Sequence, residues 1–171
     1  MQFARHYPDF FTATCLNWTD VLRQDQYKDI VIDSLRFMVR NERAIVYAFV
    51  IMTNHIHLVW QFIGQHQREA VQRDFLKFTS QQILKDLRNK KSTLQLELLV
   101  NASDRKFQVW ERNPLSIPLV SEKMTEQKIK YIHENPVRKG WCVHPEDYHY
   151  SSARFYLCNE RNWDFLTHCL G

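Results

Sequence analysis

The amino-acid sequence predicts an α+β fold of the split βαβ, or ferredoxin-like, class, in which an antiparallel sheet of four to five strands carries two helices on one face. Runs rich in aromatic and β-branched residues, typical of strands, alternate with two long stretches of apolar residues at helical spacing. Their order is β-α-β-β-α-β, and an extra helix follows. With 171 residues, 44% of them hydrophobic, the chain is predicted to be one domain, residues 1–171, with about residues 141–171 as a tail packed on it.

The first half of the chain contains three predicted strands and one predicted helix. Residues 7–16 are aromatic and β-branched, which indicates a strand. Apolar residues recur at helical spacing over about residues 24–41, which predicts an amphipathic helix. Residues 44–52 and 55–62 are strand-like, and the two-residue turn between them predicts a hairpin.

The second half is predicted to add a helix and the last strand of the sheet. A second long helix is marked by Val71, Phe75, Phe78, Ile83 and Leu87. Residues 106–111 are the candidate fourth strand. Residues 90–106 and 113–120 are predicted loops, the latter because it contains two prolines.

Two histidines lie two positions apart in the strand-like segment 55–62. Alternate side chains of a strand point to opposite faces, so His55 and His57 share one face, and Ile56 and Leu58 share the other. We expect the isoleucine row to face the helices and the histidine row to face the open side. Two neighbouring neutral imidazoles form half of a site for a divalent metal. The alternative is a pair of ordinary half-buried strand histidines, and the spacing alone leaves both open.

The extra helix is predicted to begin near residue 122 and to end at Asn135, because Pro136 disfavours helical geometry in the residue before it. At about 100° per residue, Tyr131 and Asn135 lie within about 40° of each other. The apolar residues Ile129 and Ile132 point roughly the opposite way. The helix is therefore predicted to present a tyrosine and an amide on one face, although most helical tyrosines are packing residues.

The net charge of +4 is unevenly distributed. Residues 1–63 contain six basic and six acidic side chains, so the excess lies in the rest of the chain. Basic residues are frequent in the 68–91 segment and around the extra helix. In the 68–91 segment, a solvated helix face is as good an explanation as contact with a partner. Such clustering favours a polyphosphate partner. The candidate contacts to a nucleic-acid backbone are Lys128, Lys130, Arg138 and Lys139.

The cysteines and the apolar segments indicate the compartment. Cys15, Cys142, Cys158 and Cys169 form no Cys-x-x-Cys pair, so reduced thiols are expected and a structural zinc site is not. The first residues lack an apolar signal region, and no stretch of about 18 apolar residues is present. We expect a cytoplasmic protein without membrane association.

Two long motifs resemble one protein family. The run Phe49-Val-Ile-Met-Thr-Asn-His-Ile-His-Leu58 and the run Tyr131-Ile-His-Glu-Asn-Pro-Val-Arg-Lys-Gly140 are similar to the signatures of IS200-like single-tyrosine HUH transposases. REP-associated tyrosine transposases are the most similar group. The likeness extends from the first strand to about Tyr156, including the tail segment 145–154. Thr53 stands where the family usually has proline, at a turn and not at a ligand.

The resemblance implies an enzyme that cuts and rejoins single-stranded DNA near hairpins through a 5′-phosphotyrosine. Tyr131 would be the nucleophile of this reaction. His55, His57 and Asn135 would hold a divalent metal, Mg²⁺ or Mn²⁺, although Zn²⁺ or Ni²⁺ would also suit these donors in a crystal. We assign no metal-ligand role to His133 or His149, and no general-base role to Glu134.

Two alternative functions and the oligomeric state are considered at the level of sequence. A domesticated protein that binds REP-type hairpins without essential catalysis is the alternative function. An RNA-binding module of the same fold would need a Gly/Phe pattern that residues 44–52 lack. Relatives of this family act either as homodimers that exchange the tyrosine helix or as monomers, and the long loop before the helix permits both.

Overall fold

The computed structural model describes residues 6–171, and a four-stranded antiparallel sheet forms its centre. The strands are β1 (Asp9–Thr14), β2 (Ala44–Ile51), β3 (His55–Phe62) and β4 (Leu115–Pro118). Their spatial order is β2-β3-β1-β4, and each neighbouring pair is antiparallel. This is the order of the split βαβ arrangement, so the predicted fold class is confirmed.

The helices follow the predicted sequence of elements. The long helices are α1 (Asp25–Arg40), α2 (Arg68–Asn89) and α4 (Glu122–Arg138). Two short ones, α3 (Leu94–Glu97) and α5 (Ala153–Leu157), lie in a predicted loop and in the tail. None of the helices within residues 6–171 combines the length and the apolar character needed to cross a membrane.

The two faces of the sheet differ in what covers them. Ile56, Leu58 and Trp60 pack with α1 and α2 in the larger apolar cluster, and all three side chains are fully buried. Val59 lies on the opposite face, in a smaller cluster that includes Ile129 and Ile132 of α4. The predicted division of β3 into a helix-facing row and a histidine row is therefore the one observed.

The fourth strand differs from the prediction, which assigned it to residues 106–111. Phe107 and Trp110 make only isolated bridges, to Leu99 and Cys15, whereas residues 115–118 pair with β1 along their whole length. The sequence favoured the wrong segment because Pro118 was taken as a sign of a loop. On an outer strand a proline is tolerated, since one row of backbone N–H groups makes no ladder bonds there.

Helix α4 continues beyond its predicted end at Asn135 and includes Pro136. A proline in the last turn removes only one backbone donor, and the bonds that close the helix do not need it. The amide of Gly140 donates to the Val137 carbonyl at 2.9 Å, and the amide of Trp141 donates to the Pro136 carbonyl at 3.0 Å. Gly140 has a φ of 73°, so the helix ends in a Schellman motif.

The tail beyond α4 runs along β2. The amide of Ile51 donates to the Tyr150 carbonyl at 2.9 Å, and the amide of Ser152 donates to the Phe49 carbonyl at 3.0 Å. Further on, the amide of Thr167 donates to the Val46 carbonyl at 3.0 Å. The Ser152 hydroxyl also contacts the ring of His133 on α4, at 2.8 Å from Nε2. The tail thus joins the sheet to the helix.

Candidate active site

His55 and His57 lie side by side on β3, on the face of the sheet that α4 covers. Their ring centroids are 4.9 Å apart and the rings are nearly perpendicular, at 74°. Both residues are only 6% exposed. The spacing of two along a strand has therefore placed two imidazoles in one buried position, as the alternation of side chains requires.

The tautomer of His55 follows from its neighbour Asn54. The Asn54 side-chain nitrogen donates to the Trp18 carbonyl at 3.4 Å, which leaves its oxygen facing His55 Nδ1 at 2.8 Å. An amide oxygen only accepts, so Nδ1 carries the proton and Nε2 carries the lone pair. That Nε2 points toward the Asn135 side chain on α4.

His57 is held from the neighbouring strand. Its Nδ1 lies 2.7 Å from the Thr12 hydroxyl, and Thr12 is the residue paired with His57 in the β1–β3 register. The ring of Phe10 stacks on His57, with centroids 5.4 Å apart and an angle of 19° between the planes. A hydrogen bond at Nδ1 is the usual way in which proteins orient a metal-binding imidazole.

Both imidazoles are neutral at physiological pH. Burial, with a smaller contribution from the charge of Lys139, lowers the pKa of His55 to about 4. Burial, followed by the charges of His55, Arg138 and Lys128, lowers the pKa of His57 to about 3. Neutral rings keep their lone pairs available for a cation.

Asn135 completes the polar group between β3 and α4. It is 5% exposed, and its side-chain nitrogen lies 3.4 Å from His55 Nε2. Rotation of the side-chain amide exchanges its oxygen and nitrogen, so the Asn135 oxygen can also face His55 Nε2. Within residues 6–171 no group of three or more His, Cys, Asp or Glu side chains is arranged for a metal. The groups that could donate to a cation here are two imidazole nitrogens and one amide oxygen.

Tyr131 lies beside the histidines of its own chain. Its ring centroid is 5.5 Å from that of His57 and 5.9 Å from that of Phe10. The residue is 41% exposed, so an incoming substrate can reach it. The guanidinium carbon of Arg138 lies 4.3 Å from the centre of the tyrosine ring, and the Lys128 ammonium lies 5.5 Å from it.

The structure brings three of the four candidate basic contacts to this site. Lys128 and Arg138 flank Tyr131, and Lys139 lines a cavity beside His55. Lys130 instead lies 3.8 Å from Glu134 and lines a groove on the other side of α4.

The three residues to which the sequence gave no role in the site do not contact the histidine pair. Glu134 bridges Lys130 and Arg138, and His133 bonds Ser152. His149 packs in the tail, against the rings of Tyr150 and Trp163.

Sequence reasoning missed the residues that support the histidines. Thr12 and Phe10 lie on β1, and only the β1–β3 register brings them to His57. Matching the apolar rows of the two strands places Thr12 on the face of the histidines but does not decide which residue of that face it pairs with. Trp18, whose ring contacts His55 with centroids 5.7 Å apart, carried no signal in the sequence.

Comparison with known proteins identifies the fold. No protein-family model and no curated protein sequence matches the chain. The structure of a REP-associated tyrosine transposase bound to a REP hairpin matches with a TM-score of 0.68 and 16% identity, covering 95% of this chain and 85% of that one. A candidate transposase from Deinococcus radiodurans R1 matches with a TM-score of 0.52 and 15% identity, covering 78% of this chain and 94% of that one. At these identities the likeness shows the fold, and both neighbours agree with the resemblance of the motifs.

Proposed function

We propose that the protein is a single-tyrosine transposase of the IS200-like type, which cuts and rejoins single-stranded DNA beside hairpins. The observation that carries the proposal is the position of Tyr131, with its ring centroid 5.5 Å from that of His57 in the same chain. The tyrosine is half-exposed and lies next to two neutral, oriented imidazoles and a buried amide, the groups that metal-assisted attack of a phenol on a phosphate needs. The fold of the two neighbours supports the same class of reaction.

In the proposed cleavage step, the phenolic oxygen of Tyr131 attacks the phosphorus of one phosphodiester. The bond from phosphorus to the 3′ oxygen of the preceding nucleotide breaks, and the proton of the phenol ends on the released 3′-hydroxyl. The product is a 5′-phosphotyrosine, which keeps the bond energy for rejoining. Attack by a second 3′-hydroxyl reverses the step and restores the tyrosine.

The residues around Tyr131 have separate proposed roles. His55, His57 and the Asn135 amide oxygen would hold a divalent ion such as Mg²⁺ or Mn²⁺, whose charge would polarise the scissile phosphate. Lys128 and Arg138 lie at the tyrosine ring and would bind the phosphate oxygens. Because nucleophile and donors belong to one chain, a monomer would be sufficient for the chemistry.

Hairpin binding without catalysis is the second candidate, because one structural neighbour is bound to a REP hairpin. The two candidates differ in the need for the phenolic oxygen. We therefore compare wild-type protein with Tyr131→Phe, using hairpin oligonucleotides with single-stranded flanks, Mn²⁺ and denaturing gels. The proposal expects a covalent adduct from the wild type only, with hairpin affinity nearly equal in both.

The matched control is Tyr7→Phe, since Tyr7 is also exposed but lies outside the site. It should form the adduct like the wild type. An adduct that persists in Tyr131→Phe would remove Tyr131 as nucleophile. Binding without an adduct in any variant would favour the hairpin-binding alternative.

A further inference from the structure

A cavity of about 420 Å³ adjoins the histidine pair at His55. Its lining includes Asp20, Arg23, Asn54, His55, Lys139 and Trp141. His55 belongs to both the cavity and the candidate active site, so the cavity lies directly beside the site. The volume falls in the range of sites for small organic groups and exceeds that of one nucleobase.

One exposed tryptophan lines this cavity, and a second contacts His55, one of the other lining residues. Trp141 lines it and is 46% exposed, and Trp18, 61% exposed, lies against His55. The other three tryptophans of the chain, Trp60, Trp110 and Trp163, are buried. Solvent-exposed aromatic rings beside a polar site indicate a binding surface for a planar group that stacks on them.

The backbone is constrained at both tryptophans, and at Trp18 the constraint has a conformational cost. Asn17 and Trp18 adopt φ values of 52° and 57°, a left-handed geometry that is rare for a bulky residue such as tryptophan. The carboxylate of Glu111 accepts from the amide of Asn17 at 2.7 Å and fixes this turn. Trp141 is placed by the Schellman motif that ends α4, the helix of Tyr131.

The polar groups of the cavity combine both charges. Lys139 forms no salt bridge within residues 6–171, which leaves it available to a phosphate. Asp20 accepts from the Thr53 hydroxyl at 2.6 Å and from Arg23 at 3.0 Å. The hydrogen bond from Thr53 is the main cause that lowers the pKa of Asp20, so a carboxylate faces the cavity at neutral pH. A carboxylate accepts hydrogen bonds from the exocyclic amino groups of bases.

We infer that this cavity holds one unpaired nucleobase next to the scissile phosphate. The base stacks on Trp141 and Trp18, and its exocyclic amino group donates a hydrogen bond to the Asp20 carboxylate. The inference rests on the proposed function for its substrate class and adds the subsite and its selectivity. Lys139 would bind the phosphate of the same nucleotide.

Binding of DNA to Tyr131→Phe protein tests the subsite without cleavage. Oligonucleotides carry a single abasic site at each position of the single-stranded flank in turn, and affinity is measured by tryptophan fluorescence and by filter binding. One abasic position should weaken binding by about 5- to 150-fold, the usual range for loss of one base–aromatic stack. Emission from the two exposed tryptophans should fall on binding of the intact strand only.

The same scan is repeated with Trp141→Ala and Trp18→Ala added, and with Phe37→Ala as the control. Phe37 is an exposed aromatic on α1, away from the site. The penalty at the sensitive position should shrink in both tryptophan variants and stay in the control. A flat scan, or a penalty unchanged in both tryptophan variants, overturns the inference.

A second measurement addresses the amino group. At the sensitive position, deoxycytidine should bind about tenfold better than deoxyuridine, the scale of one hydrogen bond to a charged acceptor. Asp20→Asn should remove this preference, because an amide both donates and accepts. Equal binding of the two nucleotides by the unsubstituted subsite overturns the assignment of Asp20. A wild type that shows the position effect but never forms an adduct refutes the proposed catalysis and leaves the subsite standing.

Discussion

The two faces of strand β3 use neighbouring residues for opposite purposes. Ile56, Leu58 and Trp60 are fully buried against α1 and α2 and make apolar contacts. His55 and His57 are buried almost as deeply on the other face, but each makes a hydrogen bond at Nδ1. The row facing α1 and α2 is wholly apolar at these positions, whereas the face toward α4 combines apolar residues such as Val59 with oriented polar groups. Because successive side chains of a strand point to opposite faces, β3 places the apolar row and the histidine row on opposite sides of the sheet.

This difference explains why a buried polar site is tolerated here. A fully buried leucine or isoleucine contributes about 1.5–3 kcal/mol to stability. The core beneath α1 and α2 contains many such residues. Polar groups that are buried with their hydrogen bonds made cost little by comparison. We therefore expect substitutions in the histidine row to cost less stability than substitutions in the isoleucine row, and the following predictions test that contrast.

Leu58→Ala should have the largest effect and should act on stability alone. Deleting this fully buried side chain leaves a cavity and should lower the free energy of unfolding by about 2–5 kcal/mol. Urea unfolding followed by circular dichroism measures the change. Adduct formation per folded molecule should be retained at low temperature. A Leu58→Ala protein that is stable but inactive would break the division between the faces.

His57→Ala, one residue away, should show the reverse behaviour. Loss of a proposed metal ligand should reduce metal-dependent cleavage by at least about 100-fold, since even residues that only support a ligand cost 10–100-fold. Its loss of stability should be smaller than that of Leu58→Ala. Initial rates over a Mn²⁺ titration, with unfolding curves of the same samples, provide both numbers. Normal cleavage at limiting metal would make the histidine pair structural.

Asn135→Ala should be milder, with about a 10- to 100-fold loss of cleavage that excess metal partly restores. The amide oxygen is the weakest of the three proposed donors, and Asn135 lies on α4 and not on the sheet. Asn135→Asp serves as the matched variant, because it keeps the shape and an oxygen donor. Cleavage by Asn135→Asp that is no better than cleavage by Asn135→Ala would argue against a ligand role.

Thr12→Val tests the support of His57 and should reduce cleavage by about tenfold. Valine keeps the shape of threonine but cannot bond Nδ1, which lies 2.7 Å from the hydroxyl. The Mn²⁺ concentration for half-maximal rate should rise, with little change in hairpin affinity. Thr14→Val is the control, as it lies on the same strand and pairs with His55. Equal losses in both would indicate a general effect on β1.

The smallest effect is expected for Lys128→Ala. Binding of single-stranded DNA should weaken with salt, with a slope of about −0.7 in log–log form for each phosphate neutralised. Lys128→Ala removes a cation beside the Tyr131 ring and should make the slope shallower by about 0.7. Lys130 lies on the other side of α4, so Lys130→Ala should change the slope less. Affinities measured at four or more salt concentrations give the slope for each variant. The outcome that contradicts the site's geometry is a larger change for Lys130.

The sequence predicted those parts of the site that depend on local geometry. Alternation along β3 placed the histidines together, and helical spacing placed Tyr131 and Asn135 on neighbouring positions of α4. The β4 strand was missed because its membership depends on the free side of β1, which is distant in sequence. Thr12 required the register between two strands, and the turn at Trp18 required a left-handed backbone that no local signal indicated.

The bonds between the tail and β2 have a consequence for assembly. β2 is the outer strand on one side of the sheet, and unpaired outer strands invite pairing with other chains. Here the tail occupies the backbone groups of Val46, Phe49 and Ile51. On the other side, β4 has only four residues and ends in Pro118. Within residues 6–171 the sheet thus offers no long free edge along which a second copy could extend it.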